Sequence, residues 1–171
     1  MKNNLKLPFY SLLLFFCTSF LTINNLTAQE NDIFEIQQSN ENSKISSKKE
    51  TDRKRFYDLA FNLYPTHYIE NNALKSTYDS GDPIKMTFVD AKSLIWLKNK
   101  SSKKDAVELL TISINDRNDF INRLDLSKND GFKNLKYIFI KCSFNCSEKD
   151  IENFIQVQNK VRIFYTIQKP S

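Results

Sequence analysis

The chain has 171 residues, with 25 Lys and Arg against 20 Asp and Glu, a net charge of +5 that falls to +3 once a leader carrying Lys2 and Lys6 is removed. These basic residues are scattered among acids, so the concentrated footprint of a nucleic-acid binder is absent. A single histidine, His67, excludes a His-pair metal site, and two isolated glycines, Gly81 and Gly131, exclude a phosphate-cradling loop.

In chain order, Lys2 and Lys6 precede an apolar run from Leu7 to Leu21, and the small residue Ala28 leads into polar Gln29-Glu30-Asn31-Asp32. That order of charged, apolar and small regions is the layout of a secretory signal peptide, so residues 1–28 predict export to a periplasmic or extracellular compartment. Thr18, Ser19 and Thr22 break the run short of the roughly 20 apolar residues a spanning helix needs. An uncleaved leader is the alternative, and it would make the protein a structural, membrane-tethered envelope component. Cys17 lies within the leader, where Phe16 replaces the small residue a lipid-attachment site wants before its cysteine.

Residues 29–50 are rich in Asn, Ser, Gln and Lys, with Ile33, Phe34 and Ile36 as isolated apolar residues. Such a stretch buries too little apolar surface to offset its ordering entropy, which predicts a tether with Phe34 outside the core. From Thr51 to Ser171 the pattern is that of one domain of about 120 residues, long enough to bury its own core. Phe56, Leu59, Ala60 and Leu63 fall at helical spacing, with Thr51 or Asp52 to cap and Pro65 to terminate.

The remainder alternates with period two. Met86 and Phe88 share one face. Leu110, Ile112 and Ile114 alternate with Thr111, Ser113 and Asn115. Ile138, Ile140, Cys142 and Phe144 alternate with Tyr137, Phe139, Lys141 and Ser143. Val161, Ile163, Tyr165 and Ile167 alternate with Arg162, Phe164, Thr166 and Gln168. These are half-buried strands. Between them, Ala91/Leu94/Ile95, Phe120/Ile121/Leu124 and Ile151/Phe154/Ile155 fit helices, the last capped by Ser147. Strand–helix repetition predicts an α/β fold: a small, mainly parallel sheet of three or four strands with alternating helices. It would be built either as a short solenoid or as a two-to-three-layer sandwich.

The strand centres Phe88, Ile112, Phe139 and Phe164 lie 24, 27 and 25 residues apart. Val107, Leu110, Ile112 and Asn115 match the L-x-x-L-x-L-x-x-N spacing of leucine-rich repeats. Leu135, Ile138 and Ile140 match its first three positions, with Ser143 where Asn or Cys belongs. Across residues 107–165 the chain resembles that family, and the resemblance implies a curved sheet whose polar face is open for binding.

Two groups of residues carry candidate chemistry. Cys142 and Cys146, an even number of thiols in an exported chain, bracket a strand-to-helix junction that resembles a thioredoxin-like redox site, though with three intervening residues rather than two. A straight strand would put their Cα atoms about 13 Å apart, whereas a disulfide needs less than about 7 Å, so a bridge requires a turn at 143–145. A structural disulfide, two buried thiols and a reactive pair all remain open. The second group is the polar strand face, where Ser113, Tyr137, Phe139, Lys141, Arg162, Phe164 and Thr166 would be near neighbours. Aromatics beside cations form a recognition patch if the face is open; if the helix near residues 52–63 covers it, they are core. The run from Lys98 to Lys104 reads as a solvated loop. No cofactor and no metal are implied. The leading function is an exported non-catalytic binding protein with a protein or polymer partner, and the alternative is an envelope thiol–disulfide protein acting through Cys142 and Cys146.

Overall fold

A computed structural model describes residues 33–36, 47–99, 104–128, 131–158 and 160–168, with the side chains of 47–52 outside the description. The predicted leader, residues 1–28, and tether residues 29–32 and 37–46 lie outside the described residues. Every described residue belongs to one compact unit spanning residues 31–171. Among the described residues no helix is long and apolar enough to cross a membrane.

The elements are β1 (Ile33–Glu35), α1 (Ser47–Phe61), β2 (Thr66–Glu70), β3 (Ala73–Tyr78), β4 (Lys85–Phe88), a first 3₁₀ helix (Ala91–Lys98), β5 (Leu109–Ile114), a second 3₁₀ helix (Arg117–Ile121), β6 (Leu124–Asp125), β7 (Tyr137–Cys142), α2 (Glu148–Phe154), β8 (Ile155–Gln156) and β9 (Arg162–Ile167). They form a seven-stranded sheet in the order β1-β9-β7-β5-β4-β2-β3 and a two-stranded sheet of β6 and β8. All pairs in the large sheet are parallel except β2–β3.

This corrects the expectation of a three- or four-stranded sheet with alternating helices. Three strands were hidden for distinct physical reasons. The β2–β3 hairpin turns at Asn71-Asn72, both at positive φ (50° and 59°), the two-residue geometry that asparagine tolerates without a glycine. All six residues of β3 are exposed, so no apolar alternation marks it. β1 lies inside the predicted tether, because Ile33 and Phe34 find partners in Ile163 and Phe164 at the far end of the chain. The predicted helices at 91–95 and 120–124 are 3₁₀ segments, tightened onto the caps Asp90 and Asp116, and Leu124 belongs to β6. No solenoid of strands and α-helices results.

Handedness explains the layers. From β4 to β5 to β7 to β9 the chain steps to the adjacent parallel strand in one direction, whereas β1 to β2 runs the opposite way across the sheet. Right-handed crossovers therefore place α1 on the face opposite the other connections. Packing agrees. On the first face the rows His67–Met86–Leu110–Ile138–Ile163–Ile33 and Ile69–Phe88–Ile112–Ile140–Tyr165–Glu35 run across the strands. Leu94, Leu97, Ile151 and Phe154 from the 3₁₀ and α2 segments cover them. On the other face Phe56 and Leu59 of α1 pack on Leu109, Tyr137, Phe139 and Phe164.

Phe56 sets the seat of α1. Its ring stacks on Phe164 at 3.8 Å and 14°, and meets Phe139 edge-on at 5.3 Å. Polar contacts fix the register. Arg55 forks onto Glu108 at 3.2 and 3.1 Å and onto Asp58 at 2.8 Å, while Tyr64 donates to Asp58 at 2.5 Å. Burial pushes the Glu108 carboxyl up, but hydrogen bonds from Arg55 and Lys136 leave it below its ordinary pKa. These groups are partly exposed, so the network orients the helix more than it stabilises it. Leu63, expected on the buried helical stripe, lies beyond the end of α1 and is 76% exposed. Lys104, expected in a solvated loop, is buried, its Nζ donating to the Leu97 carbonyl; residues 100–103 lie outside the described residues.

Phe34 is half-buried and stacks on Phe164 at 5.4 Å with Arg53 over its ring. Phe34→Ala is therefore expected to cost about 1–3 kcal/mol in denaturant melts, against about 2–5 kcal/mol for Ile140→Ala in the first core. A loss at Phe34 below about 0.5 kcal/mol, the surface range, would return residues 33–36 to the tether.

Candidate functional site

The α1 face divides into a covered half and an open half. One row crosses it in register, from Phe34 through Phe164, Phe139, Thr111 and Thr87 to Tyr68. The aromatic members lie under α1, and Phe139 and Phe164 are each 2% exposed. Tyr137 is buried with them, and Thr166 is buried with its hydroxyl donating to the Ile36 carbonyl at 3.0 Å. The predicted aromatic recognition patch is thus the floor of a second core. Period-two alternation assigns residues to faces but does not say which face a distant helix covers. Arg162, Ser113 and Lys141 are half-buried.

Among the described residues, α1 leaves uncovered a half-buried, hydroxyl-floored shelf beside it. Thr87 and Ser113 are half-buried on its floor, and Thr111 is buried at the junction with the covered half. Tyr57 and Phe61 of α1 form its wall, their rings 5.8 Å apart, with Phe61 62% exposed and 6.3 Å from Phe139. Tyr68 of β2 is exposed on the far side.

Two lysines stand on this shelf. Lys141 pairs in register with Ser113 and holds its Nζ 5.4 Å from the centre of the Phe139 ring. Lys85 Nζ donates to the Asn62 carbonyl just past α1 at 2.9 Å. Among the described residues neither amine has a carboxylate within ion-pair distance. Burial lowers the Lys141 pKa, and burial followed by the nearby Lys141 charge lowers that of Lys85. The unfolded chain therefore holds more protons than the folded one between these lowered values and the ordinary lysine pKa, and stability rises with pH across that interval. Lys141 and Ser113 were singled out in the sequence. Lys85, Phe61, Thr87 and Tyr68 were not, although the Tyr57/Phe61 spacing of i and i+4 on a helix was visible.

Cys142 and Cys146 are both buried free thiols. The chain turns between them, and Cys146 directly precedes Ser147, which caps α2 in a reciprocal box with Asp150. The neighbouring Cys146 thiol and burial push Cys142 well up, while the Cys142 thiol lowers Cys146. The charges acting on Cys146 are those of Asp150 and Glu35. Tyr165 donates to Glu35 at 3.2 Å, and burial followed by Glu35 pushes its phenol up to about 12. Reactive thiolates sit in exposed, electropositive settings; this one is buried and acidic, the setting of packing thiols. His67, half-buried in β2, pairs in register with Met86 and Thr77, away from the thiols.

Comparison with family models, with curated proteins and with solved structures finds no match to this chain. The geometry itself defines the class: a three-layer α/β protein with one helix on half of one sheet face and a cationic shelf on the other half.

Replacing Lys141 by Met keeps its apolar stem and removes a half-buried charge that has no counter-ion among the described residues. Lys141→Met is expected to leave the stability unchanged or raise it by about 1 kcal/mol. A melt showing a loss above about 1 kcal/mol would mean that the amine has a stabilising partner.

Proposed function

We propose that the protein is an exported, non-catalytic binding module whose partner is a protein presenting carboxylates to the shelf between α1 and β2. The observation that carries this reading is the pair Lys85 and Lys141: two half-buried amines with no carboxylate in ion-pair distance among the described residues, beside the exposed ring of Phe61. Half-buried like charges cost stability, and an anionic partner removes that cost on binding. The apolar neighbours favour a protein over a simple anion. Phe61, Leu63 and Tyr57 are all exposed, and aromatic anchors ringed by polar groups mark energetic centres of protein interfaces. Export rests on the order of charges, apolar run and small residue in residues 1–28.

Fluorescence anisotropy with a labelled synthetic peptide of glutamate, leucine and phenylalanine tests the reading. The peptide should bind the purified protein, more weakly as salt rises, and Lys141→Met or Lys85→Met should each weaken binding by about tenfold or more. Unchanged binding by both variants would refute the shelf. Binding of heparin without binding of the peptide would refute a protein partner.

A further inference from the structure

The second 3₁₀ helix follows β5 and α2 follows β7, and both belong to the layer on the first sheet face. A cavity of about 410 Å³ lies between them, lined by Phe120, Ile121, Arg123, Asp150, Asn153 and Phe154. Its size falls within the range of small-molecule sites, as does its lining of apolar walls with a few polar groups.

The walls are aromatic. Phe120 meets Phe154 at 5.6 Å and Phe144 at 5.8 Å, both edge-on, and Ile121 stands exposed at the rim. The polar groups carry opposite charges that do not meet. Arg123 makes no side-chain hydrogen bond or ion pair among the described residues. Asp150 uses a single oxygen, Oδ2, to accept from the Ser147 amide and hydroxyl, each at 2.8 Å. Oδ1 makes no such bond. The Ser147 bonds also lower the Asp150 pKa, so its charge persists at neutral pH. A cation and an anion lining one void without pairing suit a ligand that carries both charges, placed so that each finds its opposite.

We propose that this cavity binds an apolar α-amino acid, with its carboxylate on Arg123, its ammonium on Asp150 Oδ1 and its side chain against Phe120 and Phe154. Asn153 adds an amide able to donate to the carboxylate or accept from the ammonium. The site is independent of the lysine shelf, which lies on the other sheet face.

Isothermal titration of the full chain with L-phenylalanine, phenylacetate and phenethylamine separates the contributions. Phenylalanine should bind saturably. Phenylacetate lacks the ammonium and phenethylamine the carboxylate, and each should bind about tenfold more weakly or worse. Arg123→Gln, at an exposed position, should weaken phenylalanine by a similar factor. Asp150 is left intact because it caps α2. Amide shift mapping should confine the response to residues 117–123 and 148–155. Phenylacetate binding as tightly as phenylalanine would overturn the zwitterion, and unaltered affinity in Arg123→Gln would overturn the site. Absence of saturable phenylalanine binding would overturn both.

Discussion

Phe56 has two environments open to it, water or the aromatic floor of the sheet, and its stack on Phe164 at 3.8 Å places it on the floor. Burial of two such rings is worth a few kcal/mol, with the ring–ring geometry adding about 0.5–1.5 kcal/mol. Because Phe164, Phe139 and Tyr137 converge on that one ring, α1 is drawn over β9, β7 and β5 and away from β4 and β2. The same contact that closes the second core therefore leaves the other half of the face open. The row from Phe164 to Tyr68 changes from phenylalanine to threonine where the helix cover ends.

Topology makes this division hard to avoid. The strands from β4 to β9 step in one direction with their connections on one face, and only the β1–α1–β2 crossover can serve the other. One helix of 15 residues spans about 22 Å, less than the width of a seven-stranded sheet at about 4.8 Å per strand. Part of that face must be finished by something else. Threonine and serine hydroxyls, lysine stems and the exposed Tyr68 finish it here, polar groups that tolerate water.

The central strands were legible because their apolar alternation is strong and their inward residues, Ile112, Ile138, Ile140 and Ile163, are all buried. The helix bearing Phe56 and Leu59 and the Ser147 cap were legible for equally local reasons. β1 was not, because three residues in a polar stretch become a strand only through partners more than a hundred residues away. The β2–β3 hairpin was hidden by a glycine-free turn and an exposed edge. At the site, Lys141 and Ser113 could be picked out, but the fate of Phe139 and Phe164 depended on where a distant helix landed. Sequence alternation fixes which residues share a face and leaves the cover of that face to tertiary packing.

A double-mutant cycle between Phe56→Leu and Phe164→Leu, read in denaturant melts, measures the contact on which both halves of the face depend. Both substitutions keep an apolar side chain, so the fold should survive them singly and together. A coupling energy of about 0.5–1.5 kcal/mol is expected if α1 seats on the aromatic floor through this stack. Additive losses, within about 0.3 kcal/mol, would mean that the two rings do not meet and that α1 does not divide the face as described.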